Sequence, residues 1–246
     1  MDISAIICTH NGARHLAKAI ESLVDQSMPR ERYEIIIVDN HSTDRTTSIL
    51  SDLARRSPAL KHIIPVRTDL GIGGCWNEAL GHESCGRYAV QLDSDDLYSS
   101  AHTLQKMVGK LRQGNHALVI GSYTPVNSRL EEITPGLIDH REWTDENGRN
   151  NALRINGLGA PRAFHSGLMR RIGFLNVSYG EDYAAALRVC REYRIGRIYE
   201  NLYLCRRWSG NTDAALTLEA ANRNDAFKDE VRTAEILARQ KLNKER

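Results

Sequence analysis

The chain has 246 residues, of which 33 are Lys or Arg and 31 are Asp or Glu, so its formal net charge is +2 with histidine neutral. Hydrophobic residues make up 41% and charged residues 26%, a composition typical of a soluble globular protein, which excludes a disordered or fibrous chain. Near-balanced charge argues against the broadly basic face that duplex nucleic acid needs, so we expect no nucleic-acid partner.

The sequence contains no segment that predicts membrane insertion. Its longest apolar runs, 35–38 and 117–120, are far shorter than the roughly 20 residues that cross a bilayer. The first residues lead directly into a strand-like segment and lack the apolar core of a signal peptide. We therefore expect no transmembrane segment and a cytoplasmic location. The five cysteines are scattered and contain no CxxC pair, so we expect neither a disulfide framework nor a thiolate zinc site.

The first half of the chain alternates between strand and helix patterns. Short apolar runs predict strands over 3–8, 33–38, 60–66 and 88–92. Apolar residues at three- and four-residue spacing predict helices over 13–26, 45–54 and 74–82. This alternation predicts an α/β fold with a mostly parallel, Rossmann-like sheet and helices on both faces. In such sheets, ligands bind beyond the carboxyl ends of the strands, where this sequence is polar.

The second half of the chain is less regular. We predict a helix over 100–113 and a strand over 116–122, followed by an irregular stretch, 123–162, that we expect to supply active-site loops. The later predicted elements are helices over 166–172 and 181–192, a strand over 198–205 and a charged amphipathic helix over 213–243.

The strongest chemical signal is an acidic cluster directly after the fourth predicted strand. Asp93, Asp95 and Asp96 place three carboxylates within four residues, and these repel one another unless a cation or hydrogen-bond donors offset their charge. Oxygen ligands of this kind suit Mg²⁺ or Mn²⁺. An N-cap for the next helix would explain one of the acids but not all three. We therefore predict a divalent metal site here.

Two other polar segments follow predicted strands. Asp39 ends the second strand, where a carboxylate can accept hydrogen bonds from a nucleotide base or ribose, although turn chemistry also explains a polar residue there. The glycine-rich segment 71–74 fails the dinucleotide fingerprint because Trp76 stands where the last glycine is required. It remains a candidate contact to phosphate or sugar.

Two late motifs have both a structural and a functional interpretation. Glu181 and Asp182 stand at a predicted helix start, where the helix dipole favours carboxylates, and either could also serve as a general base toward an alcohol. Arg206 and Arg207 could bind a diphosphate and Trp208 could stack on a sugar ring, whereas a basic pair alone is usually a solvated face.

Taken together, these motifs resemble the family 2 glycosyltransferases of the GT-A fold. The resemblance depends on Thr-x-Asn at 9–11, Val-Asp-Asn at 38–40, Asp-Ser-Asp-Asp at 93–96, Gly-Glu-Asp at 180–182 and Arg-Arg-Trp at 206–208. It implies an inverting transfer of a hexose-type sugar from a nucleotide-diphosphate donor, commonly a UDP-sugar, to the hydroxyl of a glycan, lipid-linked or other acceptor. Such reactions serve cell-surface polysaccharide or glycoconjugate synthesis.

The resemblance also implies roles for individual residues. Asp182 would be the catalytic base, and Asp95 with Asp96 would bind a Mn²⁺ or Mg²⁺ ion that bridges the diphosphate. The residues expected to bind the donor are Thr9, Asn11, Asp39, Arg67, Asn77, Asp93, Arg206, Arg207 and Trp208. Residues 1–211 would form the catalytic domain, with a nucleotide-sugar-binding half over 1–122 and an acceptor-side half over 123–211, and 212–246 would form a C-terminal amphipathic helix.

Two features depart from the family pattern. Many relatives place a histidine metal ligand near the end of the catalytic domain, where Arg207 and Trp208 stand here, so Arg206 or Arg207 would supply the charge instead. The Gln of processive synthases is replaced by Leu204, which favours a single-addition enzyme.

The sequence leaves several alternatives open. A sugar nucleotidylyltransferase shares the architecture, but its glycine-rich start is absent at 9–12. A non-catalytic nucleotide-sugar or glycan-binding module is the other alternative. The terminal helix is expected to pack on the domain or on a second subunit, which leaves open a homodimer, and a peripheral contact with the inner face of the membrane also stays open.

Overall fold

The computed structural model describes residues 1–114, 116–143, 149–211 and 216–245. Its strands are β1 (Ile3–Thr9), β2 (Tyr33–Asp39), β3 (Leu60–Ile63), β4 (Tyr88–Gln91), β5 (Leu97–Tyr98), β6 (His116–Val126), β7 (Arg162–His165) and β8 (Arg194–Arg206). Its α-helices are α1 (Leu16–Val24), α2 (Thr46–Arg56), α3 (Ile72–Gly81), α4 (Thr103–Gln113), α5 (Ser166–Ile172), α6 (Glu181–Cys190) and α7 (Leu218–Lys244). Short 3₁₀ helices cover Arg30–Arg32 and Arg149–Arg154.

The strands form one sheet in the order β3-β2-β1-β4-β7-β6-β8-β5. The neighbours β3-β2, β2-β1, β1-β4 and β6-β8 are parallel, whereas β7 runs antiparallel to both of its neighbours and β5 runs antiparallel to β8. The predicted α/β fold with a mostly parallel sheet is confirmed. The parallel register places Thr9 beside Asp39, so the ends of β1 and β2 lie at the same edge of the sheet.

Both faces of the sheet are buried. Alternate residues of β1 point to opposite faces, so Ile7 packs against α1 and α4 while Ile6 packs against α3, α5 and α6. A strand buried on both faces has a continuous rather than an alternating apolar sequence, which is why 35–38 is uninterrupted. Helices therefore cover both faces, as predicted.

The sequence patterns did not predict β5 and β7. The strand β7 begins at Arg162, the last residue of the stretch expected to be irregular, has four residues and ends with the polar His165. A strand this short gives little periodic signal, and its pairing with β4 and β6 decides its conformation. The strand β8 also begins four residues before its predicted start.

The terminal helix starts later than predicted. The helix α7 begins at Leu218, and the Thr217 hydroxyl caps it by accepting a hydrogen bond from the backbone N–H of Ala220 at 3.2 Å. Residues 213–215 of the predicted helix lie outside the described residues. Nowhere in 1–114, 116–143, 149–211 or 216–245 does a helix combine the length and apolar character needed to cross a membrane.

A buried ionic network fixes α7 against α6. The carboxylate of Glu235, which is 3% exposed, accepts two hydrogen bonds from Arg191, at 3.0 and 2.6 Å, and one from Arg239 at 2.8 Å. Arg239 also donates to the backbone carbonyls of Leu187 and Arg149. The terminal helix thus packs on its own domain.

We expect the substitution Glu235→Ala to destabilise the fold by about 3–5 kcal/mol, because it leaves two guanidinium groups partly buried without their carboxylate. Urea denaturation measures the change in the free energy of unfolding. Glu219→Ala, which breaks an exposed pair with Arg223 on the same helix, is the control and should cost less than about 1 kcal/mol. Equal effects of the two substitutions would contradict a structural role for the buried network.

Candidate active site

One cleft of about 1360 Å³ opens at the carboxyl ends of β1, β4 and β8. Carboxyl ends of parallel strands meet at one edge of a sheet, so polar segments that are distant in sequence come together there. The predicted site residues that line this cleft are Thr9, Asn11, Asp93, Asp95, Asp96, Asp182, Arg207 and Trp208. The cleft therefore contains most of the residues that the sequence singled out.

The acidic loop after β4 is held by hydrogen bonds from residues 206–211, which lie at the end of β8 and just beyond it. Asp95 Oδ2 accepts one from the indole N–H of Trp208 at 2.8 Å and one from the Asn211 amide at 2.9 Å. Asp96, which is 4% exposed, accepts one from the backbone N–H of Arg206 at 2.7 Å. The Arg-Arg-Trp segment thus positions the acidic loop.

The same loop concentrates negative charge. Burial, followed by the charges of Asp93 and Asp95, raises the pKa of Asp96 well above its ordinary value. Burial, with a contribution from Asp95, also raises the pKa of Asp93. None of the acids starts a helix, because α4 begins at Thr103, so N-capping does not explain the cluster.

The carboxylates of this loop can supply only part of the ligand set of a divalent cation. Among the residues that the structure describes, no three His, Cys, Asp or Glu side chains are arranged to hold a metal ion. Mg²⁺ needs only one or two carboxylates when substrate phosphates and water complete its shell. Asp95 lines the cleft, and its Oδ1 accepts no hydrogen bond from the described chain. The loop therefore fits a cation that takes its other ligands from outside the protein.

Arg162 connects the acidic loop to the acidic pair at the start of α6. Its guanidinium forms an ion pair with Asp182 and donates to the side-chain oxygen of Gln91 at 2.8 Å. The Gln91 amide in turn donates to both carboxylate oxygens of Asp93, at 3.0 and 3.1 Å. Sequence analysis did not single out Arg162 or Gln91, because neither belongs to a recognisable motif.

The backbone at the start of α6 is fixed by a glycine. Gly180 has a φ of 74°, which a residue with a Cβ adopts at a cost, and a Cβ there would lie 3.1 Å from the ring of Phe227 in α7. Asp182 Oδ1 also accepts a hydrogen bond from the backbone N–H of Tyr183 at 2.6 Å. The carboxylate is thus held by Tyr183 and Arg162, while its side chain remains 31% exposed toward the cleft.

Glu181 has an unusual environment for a carboxyl group in this cleft. Burial, together with the adjacent charge of Asp182, raises the pKa of Glu181 from 4.5 to about 8. Glu181 is therefore mostly protonated at neutral pH. Of the two acids, Asp182 is the one held by a cation, so the geometry separates their roles.

The loops after β1 and β2 are tied together. Asn11, with a φ of 54°, accepts a hydrogen bond from the backbone N–H of Thr43 at 2.8 Å, and its own N–H donates to Ser42 Oγ at 2.9 Å. Thr9 Oγ1 is buried beside the cleft and has no hydrogen-bond partner in the described chain. An unpartnered hydroxyl at this position is available to a ligand.

Some predicted donor-binding residues do not line the cleft. Asp39 is fully buried and accepts hydrogen bonds from the Ser42 N–H at 3.0 Å and from Thr47 at 2.6 Å. Burial acts to raise its pKa, but these hydrogen bonds bring the pKa below its ordinary value. The Asn77 side-chain amide donates a hydrogen bond to the Phe174 carbonyl and accepts one from the Phe174 N–H.

The predicted arginines occupy different positions. Arg67 is exposed and paired with Asp69, next to Thr68, which lines the cleft. Arg206 is 2% exposed behind the acidic loop, and burial lowers its pKa. Of the predicted arginines, Arg207 alone lines the cleft.

The glycine-rich segment before α3 has a packing role. A Cβ on Gly73 would lie 1.8 Å from the carbonyl oxygen of Leu175, and one on Gly71 would lie 2.5 Å from the Val177 backbone. The segment also donates a hydrogen bond, from the Gly73 N–H to the Val177 carbonyl, at 3.0 Å. These glycines therefore let the start of α3 pack closely against the backbone of residues 175–177, which precede Glu181 and Asp182.

The sequence of residues 4–174 matches the family described as Glycosyl transferase family 2. This chain belongs to that family. Among its curated relatives are an uncharacterised glycosyltransferase of Haemophilus influenzae, 26% identical over 193 residues, and a poly(ribitol-phosphate) beta-glucosyltransferase of Bacillus spizizenii, 30% identical over 129 residues. The alignments cover 78% and 52% of this chain but 54% and 20% of those proteins, so the family 2 chain spans about half of their length or less.

Solved structures resemble this family 2 chain over nearly its whole length. The TarS fragment of Staphylococcus aureus in complex with UDP-GlcNAc has a TM-score of 0.71 at 22% identity, covering 97% of this chain and 72% of that one. The mannosyltransferase PcManGT of Pyrobaculum calidifontis, solved with GDP-Man and Mn²⁺, has a TM-score of 0.68 at 21% identity, with coverages of 96% and 64%. These likenesses confirm the GT-A fold.

The raised pKa of Glu181 predicts a pH-dependent stability difference in this family 2 domain. Between about pH 4.5 and 8, the folded state retains a proton that the unfolded state has lost, so Glu181 contributes less stability as the pH rises. We expect the free energy of unfolding of the Glu181→Gln variant, relative to that of the unsubstituted chain, to increase progressively as the pH rises through that range. Urea denaturation at several pH values measures this difference.

The control for this pH series is Glu83→Gln, at an exposed position outside the cleft, which should keep a constant stability difference. A stability difference for Glu181→Gln that does not change with pH would show that this carboxyl group is ionised in the folded protein.

Proposed function

We propose that this chain is the catalytic domain of an inverting, metal-dependent glycosyltransferase that moves a hexose-type sugar from a nucleotide-diphosphate sugar to an acceptor hydroxyl. The observation that carries the proposal is the connection, within one cleft, between the acidic loop at Asp93 and the acidic pair at Asp182 through Arg162 and Gln91. A transferase needs both a diphosphate site and a base, and this arrangement holds acids suited to each at a fixed separation.

The donor in this proposal is most simply a UDP-sugar. A TarS structure contains UDP-GlcNAc and another contains UDP, whereas PcManGT contains GDP-Man, so the fold accommodates more than one nucleotide. Thr9 and Asn11 would contact the nucleoside from the loop after β1, and Asp39 would act by fixing the adjacent loop through Ser42 and Thr47. Arg207 would meet the diphosphate, and Arg67 and Asn77 would act from outside the cleft.

The two halves of the domain would divide the substrates. Residues 1–122 supply the loops after β1, β2 and β4 and would bind the donor. Residues 123–211 and α7 contribute another wall of the cleft, which would bind the acceptor, except that Arg207 would meet the diphosphate of the donor. On that wall the Lys228 ammonium lies 4.9 Å from the ring centre of Tyr179 and donates to the Asn156 carbonyl at 2.7 Å. Relatives named for poly(ribitol-phosphate) and teichuronic acid support an acceptor from cell-surface polymer synthesis.

Asp182 would act as the base. Its carboxylate would take the proton from the acceptor hydroxyl as that oxygen bonds to the anomeric carbon and the bond to the diphosphate oxygen breaks, which inverts the configuration. Arg162 and the Tyr183 N–H hold the carboxylate in one orientation for this transfer.

Asp95 and Asp96 would hold the divalent ion, with Asp93 beside the donor. When bound, such an ion offsets the charge that develops on the leaving diphosphate. The indole N–H of Trp208 and the amide of Asn211 keep Asp95 facing the cleft. Arg206 keeps Asp96 in place through its backbone N–H.

We expect the substitution Asp182→Asn to lower turnover by at least about a hundredfold while leaving the affinity for the donor within about twofold, because the amide cannot accept the proton. Steady-state kinetics and calorimetric titration of the donor separate the two quantities. Asp225→Asn, an exposed change on α7, is the matched control. Unchanged turnover in Asp182→Asn would remove this residue as the base.

The proposed function itself is tested by incubating the chain with a panel of nucleotide sugars and Mn²⁺, Mg²⁺ or EDTA. We expect slow release of the nucleoside diphosphate from one class of donor, with loss of that release in EDTA. Donor binding without any release or transfer would favour the glycan-binding module. Formation of a nucleotide sugar from a nucleoside triphosphate and a sugar phosphate would favour the nucleotidylyltransferase.

A further inference from the structure

A second groove, of about 850 Å³, lies at the opposite edge of the sheet from the active-site cleft. Its border includes Tyr88, His116 and Arg194, which are the first residues of β4, β6 and β8, whereas the cleft lies beyond the other ends of β4 and β8. The sheet therefore separates the two sites. We call this second site the basic groove.

The lining of the basic groove is dominated by arginine. The guanidinium-bearing residues are Arg87, Arg112, Arg149, Arg171 and Arg194, and Glu192 is the single acid among the described residues that line it. These arginines are scattered between positions 87 and 194, so no basic run appears in the sequence. The tertiary structure alone gathers them.

Several of these guanidinium groups have no acidic partner. Arg112 forms an ion pair with Asp2, and Arg149 donates to a backbone carbonyl at 3.1 Å. Arg87, Arg171 and Arg194 are exposed, and their side chains make no hydrogen bond or ion pair with the described chain. Like charges gathered around one concave surface repel one another, and phosphate groups that pair with them would relieve the repulsion.

The aromatic ring of Tyr88 in the basic groove holds two of the arginine side chains in place. The guanidinium carbons of Arg87 and Arg112 lie 5.4 and 5.1 Å from the ring centre of Tyr88, which is 4% exposed. The His165 ring packs against Tyr88 at 5.0 Å. Cation–π contacts of this kind hold the planar guanidinium groups in position, which lowers the entropy lost when they bind a ligand.

We propose that the basic groove binds a soluble, flexible polymer that carries phosphate groups, with successive phosphates paired to Arg87, Arg171 and Arg194. Guanidinium groups match phosphate oxygens in a bidentate geometry, and a concave groove accepts a chain. The inference is independent of the catalytic proposal, because it uses no residue of the active-site cleft.

Two other polyanionic partners fit the basic groove less well. A membrane surface needs exposed apolar side chains to insert, but Leu111 and Leu168 in the groove are buried, and Tyr193 is its one exposed large hydrophobic residue among those described. A single-stranded nucleic acid needs several aromatic faces on which successive bases stack, but Tyr88 is buried, which leaves Tyr193 as the one exposed Tyr, Phe or Trp ring among the described residues of the groove. A phosphate polymer without bases requires neither feature.

The test is calorimetric titration of the full chain with linear inorganic polyphosphate at several salt concentrations. We expect the triple substitution R87A/R171A/R194A to weaken binding at least tenfold and to reduce the salt dependence of the binding constant, because fewer phosphates are neutralised. The matched control, R32A/R45A/R56A, removes the same charge from exposed positions outside both sites and should bind within about twofold of the unsubstituted chain.

Further arms of this experiment identify the site and the source of the phosphate. R207A/K228A removes two cations of the active-site cleft, where Arg207 is proposed to meet a diphosphate, and should weaken polyphosphate binding less than the groove variant does; an equal or larger loss would overturn the proposal. Tighter binding of phosphatidylglycerol vesicles or of a single-stranded oligonucleotide through the groove arginines would also overturn it. Arg194→Glu alone, with circular dichroism as a check of folding, should still weaken polyphosphate binding severalfold.

Discussion

The active-site cleft depends on the position of one partly buried guanidinium group. Arg162 pairs with Asp182 at the start of α6 and, through Gln91, is connected to Asp93 after β4. Its position follows from topology. Because β7 is antiparallel to β4, the first residue of β7 lies at the edge where β4 ends, and the pairing of Val90 with Ala163 places Arg162 next to Gln91. The antiparallel strand β7 thus supplies a cation, Arg162, to the edge of the sheet where β4 ends.

The nearly neutral net charge hides an uneven distribution of charged residues. Among the described residues, six acids and five Lys or Arg side chains line the cleft at one edge of the sheet, whereas five arginines and one acid line the groove at the other edge. The sheet core between the edges is buried on both faces, so the charged groups remain apart. The two proposals accordingly place a cation and diphosphate at one edge of the sheet and a polyanion at the other.

Sequence patterns located most of the fold because its central strands are buried on both faces. The runs 3–8, 33–38 and 88–92 are apolar for that reason, and the bounds of each agree with those of an observed strand to within one residue. The strands β5 and β7 were missed, whereas β3 and β4, which have four residues each, were predicted. The strand β5 has only two residues, and β7 begins and ends with polar residues and depends on pairing with β4 and β6. The start of α7 at Leu218 depends likewise on the Thr217 cap rather than on apolar spacing.

By itself, the sequence determined the fold class, the family resemblance and the acids that follow β4 and begin α6, because these depend on local periodicity and on motifs contiguous in the chain. The tertiary structure decided which side chains meet. Arg162, Gln91 and Lys228 join the cleft only through strand pairing and helix packing, and Asp39 is turned toward Ser42 and Thr47 by its own loop. Long-range pairing also gathers five separate arginines into one groove, an arrangement that no local pattern encodes.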